Sequence, residues 1–79
     1  MIWITEAKKA NGTYEIFIGF NDGKKMTVDL KNTIQNDHRP VIRALLDENT
    51  FNSFMVANDT VCWENGVDFA PEFLYEIGN

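Results

Sequence analysis

The chain has 79 residues, 44% apolar, 13% aromatic and 24% charged, with a formal net charge of −5, a balance that excludes both a disordered segment and a chain with room for two cores. One cysteine, Cys62, excludes an internal disulfide, and one histidine, His38, excludes the usual zinc ligand sets. No apolar run is long enough to cross a bilayer, and the opening Met1-Ile2-Trp3-Ile4-Thr5-Glu6 lacks the basic-then-apolar order of a signal peptide, so a cytoplasmic protein is expected.

Along the chain, turn residues recur at Asn11-Gly12, Asn21-Asp22-Gly23, Asn58-Asp59 and Asn65-Gly66, each between runs rich in β-branched and aromatic residues, the pattern of hairpins. A two-residue turn at Asn11-Gly12 is expected to set Trp3 opposite Phe20, Ala7 opposite Ile16 and Lys8 opposite Glu15. Tyr14, Ile16, Ile18 and Phe20 alternate on one face, as do Met26, Val28 and Leu30. The two faces coincide only if Asn21-Asp22-Gly23 is a three-residue loop with Gly23 left-handed. That register sets Ile18 beside Met26, Ile16 beside Val28 and Tyr14 beside Leu30, whereas a two-residue loop would put Ile16 against Asp29. The reverse face then carries Ile4, Glu6, Lys8, Glu15, Phe17, Thr27 and Asp29. It reads as a solvated face with Glu15 opposite Asp29, and its two apolar members, Ile4 and Phe17, predict contact with a second helix or another chain.

The period changes after the third strand. Pro40 suits a first helical position, and Val41, Ile42, Leu45 and Leu46 share one stripe, which predicts a short central helix. Asp47 to Phe51 reads as a further turn closing on the core through Phe51. Phe54–Ala57 and Thr60–Trp63 read as a second pair of short strands around Asn58-Asp59. Asn65-Gly66 is expected to form a tight turn that brings Asp68 opposite Trp63, where its carboxylate would accept from the indole N–H and also cap a helix opened by Pro71. Phe69, Phe73, Leu74 and Ile77 would supply that helix's buried stripe, with Gly78 ending it. The expected architecture is α+β in one domain over residues 1–79: an antiparallel three-stranded N-terminal meander plus a short second hairpin, with one central and one C-terminal short helix packed on the sheet.

Chemistry is sparse in this pattern. His38 stands beside Arg39 with no nucleophile or acid at diagnostic spacing, and Cys62 lies in an apolar strand near acids, a setting for a buried structural thiol. No phosphate-cradling glycine loop, G-K-[ST] or G-x-S-x-G occurs, and the sequons Asn11-Gly12-Thr13 and Asn58-Asp59-Thr60 have no use in a protein that is not secreted. No cofactor and no enzymatic activity are expected. The charge is uneven: residues 1–31 and 32–43 each sum to +1, while residues 44–79 hold seven acids and no Lys or Arg. Direct nucleic-acid binding, which draws on clustered cations, is not expected, and the acidic half reads either as a surface for encounter with a basic partner or as a plain solvated face.

The stretch W-x-N-G-x-D-F-A-P-E-x-L-Y, Trp63 to Tyr75, resembles the C-terminal signature of a bacterial family catalogued as domain of unknown function 2442 (DUF2442). Its earlier F-x-D-G and V-D-L patterns are met by Phe20-Asn21-Asp22-Gly23 and Val28-Asp29-Leu30, and its central L-x-D-x-x-x-F by Leu45 to Phe51, so the resemblance spans nearly the whole chain. It implies a small α+β fold with no established activity or cofactor. Genes of similar proteins often neighbour those of the DUF4160 family in a layout likened to toxin–antitoxin pairs, and this chain would then be the antitoxin-side partner. The expected function is accordingly a non-enzymatic protein-interaction module, alone or as a homodimer, working through the Ile4/Phe17 face or the acidic half. The alternative is a small-ligand or metal-binding domain with a site at Trp63, Asp68, Glu72 and Tyr75.

Overall fold

The computed structural model describes residues 1–79. Strands β1 (Ile4–Lys9), β2 (Glu15–Phe20) and β3 (Lys25–Asp29) form an antiparallel sheet in the order β1-β2-β3, and β4 (Met55–Ala57) and β5 (Thr60–Cys62) form a separate hairpin. Between them lie α1 (Lys31–Gln35), α2 (Pro40–Arg43) running into a 3-10 turn at Ala44–Leu46, and α3 (Glu48–Phe51); α4 (Pro71–Ile77) ends the fold. This is the expected α+β arrangement, with α1 in addition.

The β2–β3 register is the one required by the coincidence of apolar faces: Ile16 pairs Val28, Ile18 pairs Met26 and Glu15 pairs Asp29. The loop is three residues long. Phe20 N–H donates to Lys24 C=O at 2.9 Å, Gly23 N–H donates to Phe20 C=O at 3.0 Å, and Gly23 takes φ +90°, a conformation open to glycine because it has no Cβ. The Glu15 and Asp29 carboxylates are occupied locally, accepting from the Gly12 and Lys31 backbone N–H groups at 2.8 and 2.9 Å, which eases the like-charge pairing.

The first hairpin departs from expectation. Its loop spans four residues between Ala10 and Glu15, because Glu15 N–H turns back to Gly12 C=O and Glu15 Oε1 takes the Gly12 N–H, while the Lys9 ammonium binds the carbonyls of Ala10 and Gly12. The register is therefore Ala7 opposite Ile18, Lys8 opposite Phe17 and Lys9 opposite Ile16, and a β-bulge between Ile4 and Glu6 restores Ile4 to a place opposite Phe20. Lys8 thus meets Phe17 instead of Glu15. Burial explains the choice: the bulge puts Ile4 in the core at 2% exposure and leaves Trp3 40% exposed, the reverse of the expected assignment. Ile4 accordingly belongs to no exposed face.

Fifteen residues from every layer make one core, including Ile16, Ile18, Val28, Leu30, Ile34, Leu45, Phe51, Val61, Trp63 and Leu74. Complete burial of a Leu, Ile or Phe side chain contributes about 1.5–3 kcal/mol before entropy is charged against it. Phe51 sits among the rings of Tyr14, Phe54 and Trp63, with centroids 5.3–6.3 Å apart, and the Tyr14 hydroxyl donates to Leu46 C=O. Asp47 caps α3 by accepting from Thr50 N–H at 3.0 Å. The central stripe is only partly inward: Ile42 and Leu45 are buried, but α2 gives way to the 3-10 turn and Val41 is 42% exposed. Gly78 lies so close to Met26 that a Cβ would overlap its sulfur, and Asn79 exchanges backbone hydrogen bonds with Thr27 of β3 at 2.9 and 3.0 Å.

Candidate functional site

The segment from Trp63 to Phe69 is shaped by a loop that repeats the β2–β3 turn. Trp63 N–H donates to Val67 C=O at 2.9 Å, Gly66 N–H donates to Trp63 C=O at 3.0 Å, and Gly66 has φ +92°. In both loops a side-chain oxygen accepts from the backbone two residues on: Asp22 Oδ1 from Lys24 at 3.0 Å, Asn65 Oδ1 from Val67 at 3.1 Å. A three-residue loop places Asp68 opposite Cys62, not Trp63. The expected indole–carboxylate bond is therefore absent. Trp63, 3% exposed, donates its Nε1–H to Phe51 C=O at 2.9 Å, a carbonyl at the end of α3 that has no other donor.

Asp68 does not cap the last helix either. Ala70 is its N-cap residue without a side-chain bond, Pro71 opens it, and Asp68 and Glu72 both stand exposed. Phe73 is 37% exposed where burial was expected; it stacks on Phe69, which in turn meets Trp63 edge-on. The half-buried Tyr75 points to the other side, donating to Asp22 Oδ2 at 2.8 Å and packing edge-on to Phe20, with the Lys24 ammonium 5.4 Å from its ring centre. Backbone N–H donation by Lys24, with the Tyr75 hydroxyl, holds the Asp22 carboxyl below its ordinary range. Trp63, Asp68, Glu72 and Tyr75 are thus joined by no hydrogen bond or ion pair. Trp63 and Tyr75 have different neighbours, Phe51, Phe54 and Phe69 for the one and Phe20, Asp22 and Lys24 for the other, and no group of three His, Cys, Asp or Glu side chains is arranged to hold a metal ion. Cys62 is half-buried, less enclosed than expected, and His38 is exposed.

On the outer sheet face Phe17 is half-buried under Lys8, whose ammonium lies 5.4 Å from the ring centre. With Ile4 in the core and Lys8 over Phe17, little apolar surface is presented there.

A groove of about 220 Å³ lies instead between the start of α2 and the Asn65-Gly66 loop, lined by Arg39, Val41, Ile42, Asn65, Gly66, Val67, Asp68 and Phe69. Its walls are tied together by Asn65 Nδ2–H donating to Val41 C=O at 3.2 Å. The Arg39 guanidinium grips Asp37 through two bonds of 3.1 and 2.8 Å, and this holds the Asp37 carboxyl down to about 2. Of the groove residues only Asp68 is a site candidate in the sequence. Val41 and Asn65 are legible in principle: Val41 is one apolar residue too many for so short a helix, and the loop rule that fixes Asn21-Asp22-Gly23 applies equally to Glu64-Asn65-Gly66.

The seven acids of residues 44–79, namely Asp47, Glu48, Asp59, Glu64, Asp68, Glu72 and Glu76, are all exposed. None is in an ion pair, the molecule's salt bridge being Arg39–Asp37, and of their side chains only that of Asp47 is hydrogen-bonded. No helix is long and apolar enough to cross a membrane.

A family described as "Protein of unknown function (DUF2442)" matches residues 6–79, and the chain belongs to that family. Neither the curated proteins nor the solved structures contain a match.

Proposed function

We propose that this DUF2442 protein is a non-enzymatic interaction module that binds a basic protein through its acidic half, as the antitoxin-like partner of a small basic protein of the DUF4160 kind. The observation that supports the reading is that all seven carboxylates of residues 44–79 are exposed and none is paired with a cation. Exposed charges of one sign raise encounter rates with an oppositely charged surface and repel others. Such a field is screened over about 8–10 Å at physiological salt, so it acts on a partner that comes into contact.

The test is capture of the tagged protein from its native cell at physiological and at raised salt, with identification of what elutes. A small basic protein bound at the lower salt and released at the higher is the expected result. Recovery alone, with sedimentation as a monomer, would remove the basis of the proposal.

A further inference from the structure

The groove between α2 and the Asn65-Gly66 loop has a chemistry that restricts what fills it. At about 220 Å³ it is smaller than the roughly 300–1,000 Å³ typical of cofactor and small-molecule pockets, and suits one side chain of a larger molecule. Its polar groups are almost all committed. Arg39 is spent on Asp37, and both ends of the Asn65 amide are spent, on Val41 C=O and Val67 N–H. The apolar surface the groove offers is that of Val41 and Phe69, with Ile42 and Val67 buried behind them, beside one charge without a partner, the Asp68 carboxylate. Phe73 extends the apolar surface from Phe69, and Glu64 and Glu72 add exposed negative charge in the loop and in the first turn of α4.

We infer that this groove is the docking point of a peptide segment of a basic protein, an apolar side chain entering between Val41 and Phe69 while a neighbouring Lys or Arg pairs with Asp68. The inference rests on the interaction-module reading and narrows it to one place. Charge complementarity selects the occupant: a second copy docking by this same face would set Asp68, Glu64 and Glu72 against their own counterparts, the wall's one cation, Arg39, being paired with Asp37, whereas a cationic segment satisfies the one polar group the groove leaves open. An apolar anchor within a charged rim is the usual anatomy of a small interface centre.

A random-peptide display library selected on the immobilised full chain tests this. The expected peptides pair an apolar residue with an adjacent Lys or Arg. Their affinity should fall at least roughly tenfold in Val41→Asp and in Asp68→Lys, the scale of a central interface residue. In Glu48→Lys, an acid outside the groove, it should change by less than about twofold. On the unmutated protein, backbone amide shifts on adding the peptide should concentrate at residues 39–42 and 65–69, a readout that does not depend on any variant folding. Basic peptides that bind Val41→Asp normally, or shift amides evenly over the acidic half, would overturn the groove while leaving the charge-based reading intact. Enrichment of acidic or uncharged peptides, or of none, would overturn both. A dimer dissolved by Val41→Asp, with no basic peptide selected, would assign the groove to a second copy and refute the inference.

Discussion

Replacing Trp63 by phenylalanine isolates the bond that joins the last loop to α3. The indole N–H is the sole donor to Phe51 C=O, and the ring is 3% exposed among Phe51, Phe54 and Phe69. The variant keeps an aromatic ring but leaves a buried carbonyl unpaired, at a cost of about 1–3 kcal/mol. The smaller ring leaves space that the packed neighbours fill only in part, adding about 1 kcal/mol. The sum, about 2–4 kcal/mol, compares with a total stability of about 4–12 kcal/mol for a domain of this size and implies a Tm lower by roughly 10–25 °C. Asp68→Asn, in contrast, alters an exposed carboxylate without a side-chain partner and should move stability by less than about 0.5 kcal/mol. Urea melts followed by circular dichroism, which does not depend on the lost fluorophore, measure both. Equal destabilisation by the two variants, or a Trp63→Phe cost below about 1 kcal/mol, would refute the assignment of the indole to Phe51.

Two further outcomes are expected. Gly23→Ala and Gly66→Ala should each cost about 1–2 kcal/mol in the same urea assay, since an added Cβ meets no atom within 4 Å at either site and the penalty comes from the positive φ alone; a neutral result at either would contradict the shared loop geometry. Asp37 should titrate at about 2 against an ordinary value of 3.8 when followed by carboxyl carbon shifts. Because the folded value is the lower one, its contribution is present above 3.8 and disappears as pH falls through about 2. Arg39→Ala should return the midpoint toward 3.8, and a midpoint unmoved by that change would exclude the guanidinium as its cause.

Period-2 alternation in two neighbouring strands is a strong constraint, which is why the Ile16–Val28 and Ile18–Met26 pairs and the Gly23 loop are legible in the sequence. β1 carried a weaker pattern. Trp3 and Ala7 on one face and Ile4 on the other were the choice that an unbroken strand allows, and a bulge, which exchanges faces in mid-strand, leaves no mark in alternation alone. α1 was missed because its five residues, Lys31–Gln35, present a single buried side chain, Ile34. At the candidate site the residues around Asp68 were found but their partners were not. The Asn-Gly pair suggested a two-residue turn, and one added residue moved Asp68 from Trp63 to Cys62, freeing it for the groove. The groove itself arises from chain segments more than twenty residues apart, a juxtaposition that no local period encodes.

The backbone clasp between Asn79 and Thr27 bears on how the domain behaves when crowded with copies of itself. A bare strand rim is a template for stacking identical chains into fibrils, and natural sheets blunt such rims. Here the β3 rim is occupied by Asn79, and on the opposite rim Asp59 C=O takes the Ile4 N–H at 2.8 Å while exposed Lys8 and Lys9 stand further along β1. Both margins of this sheet are thereby blunted against pairing with the strand of another copy.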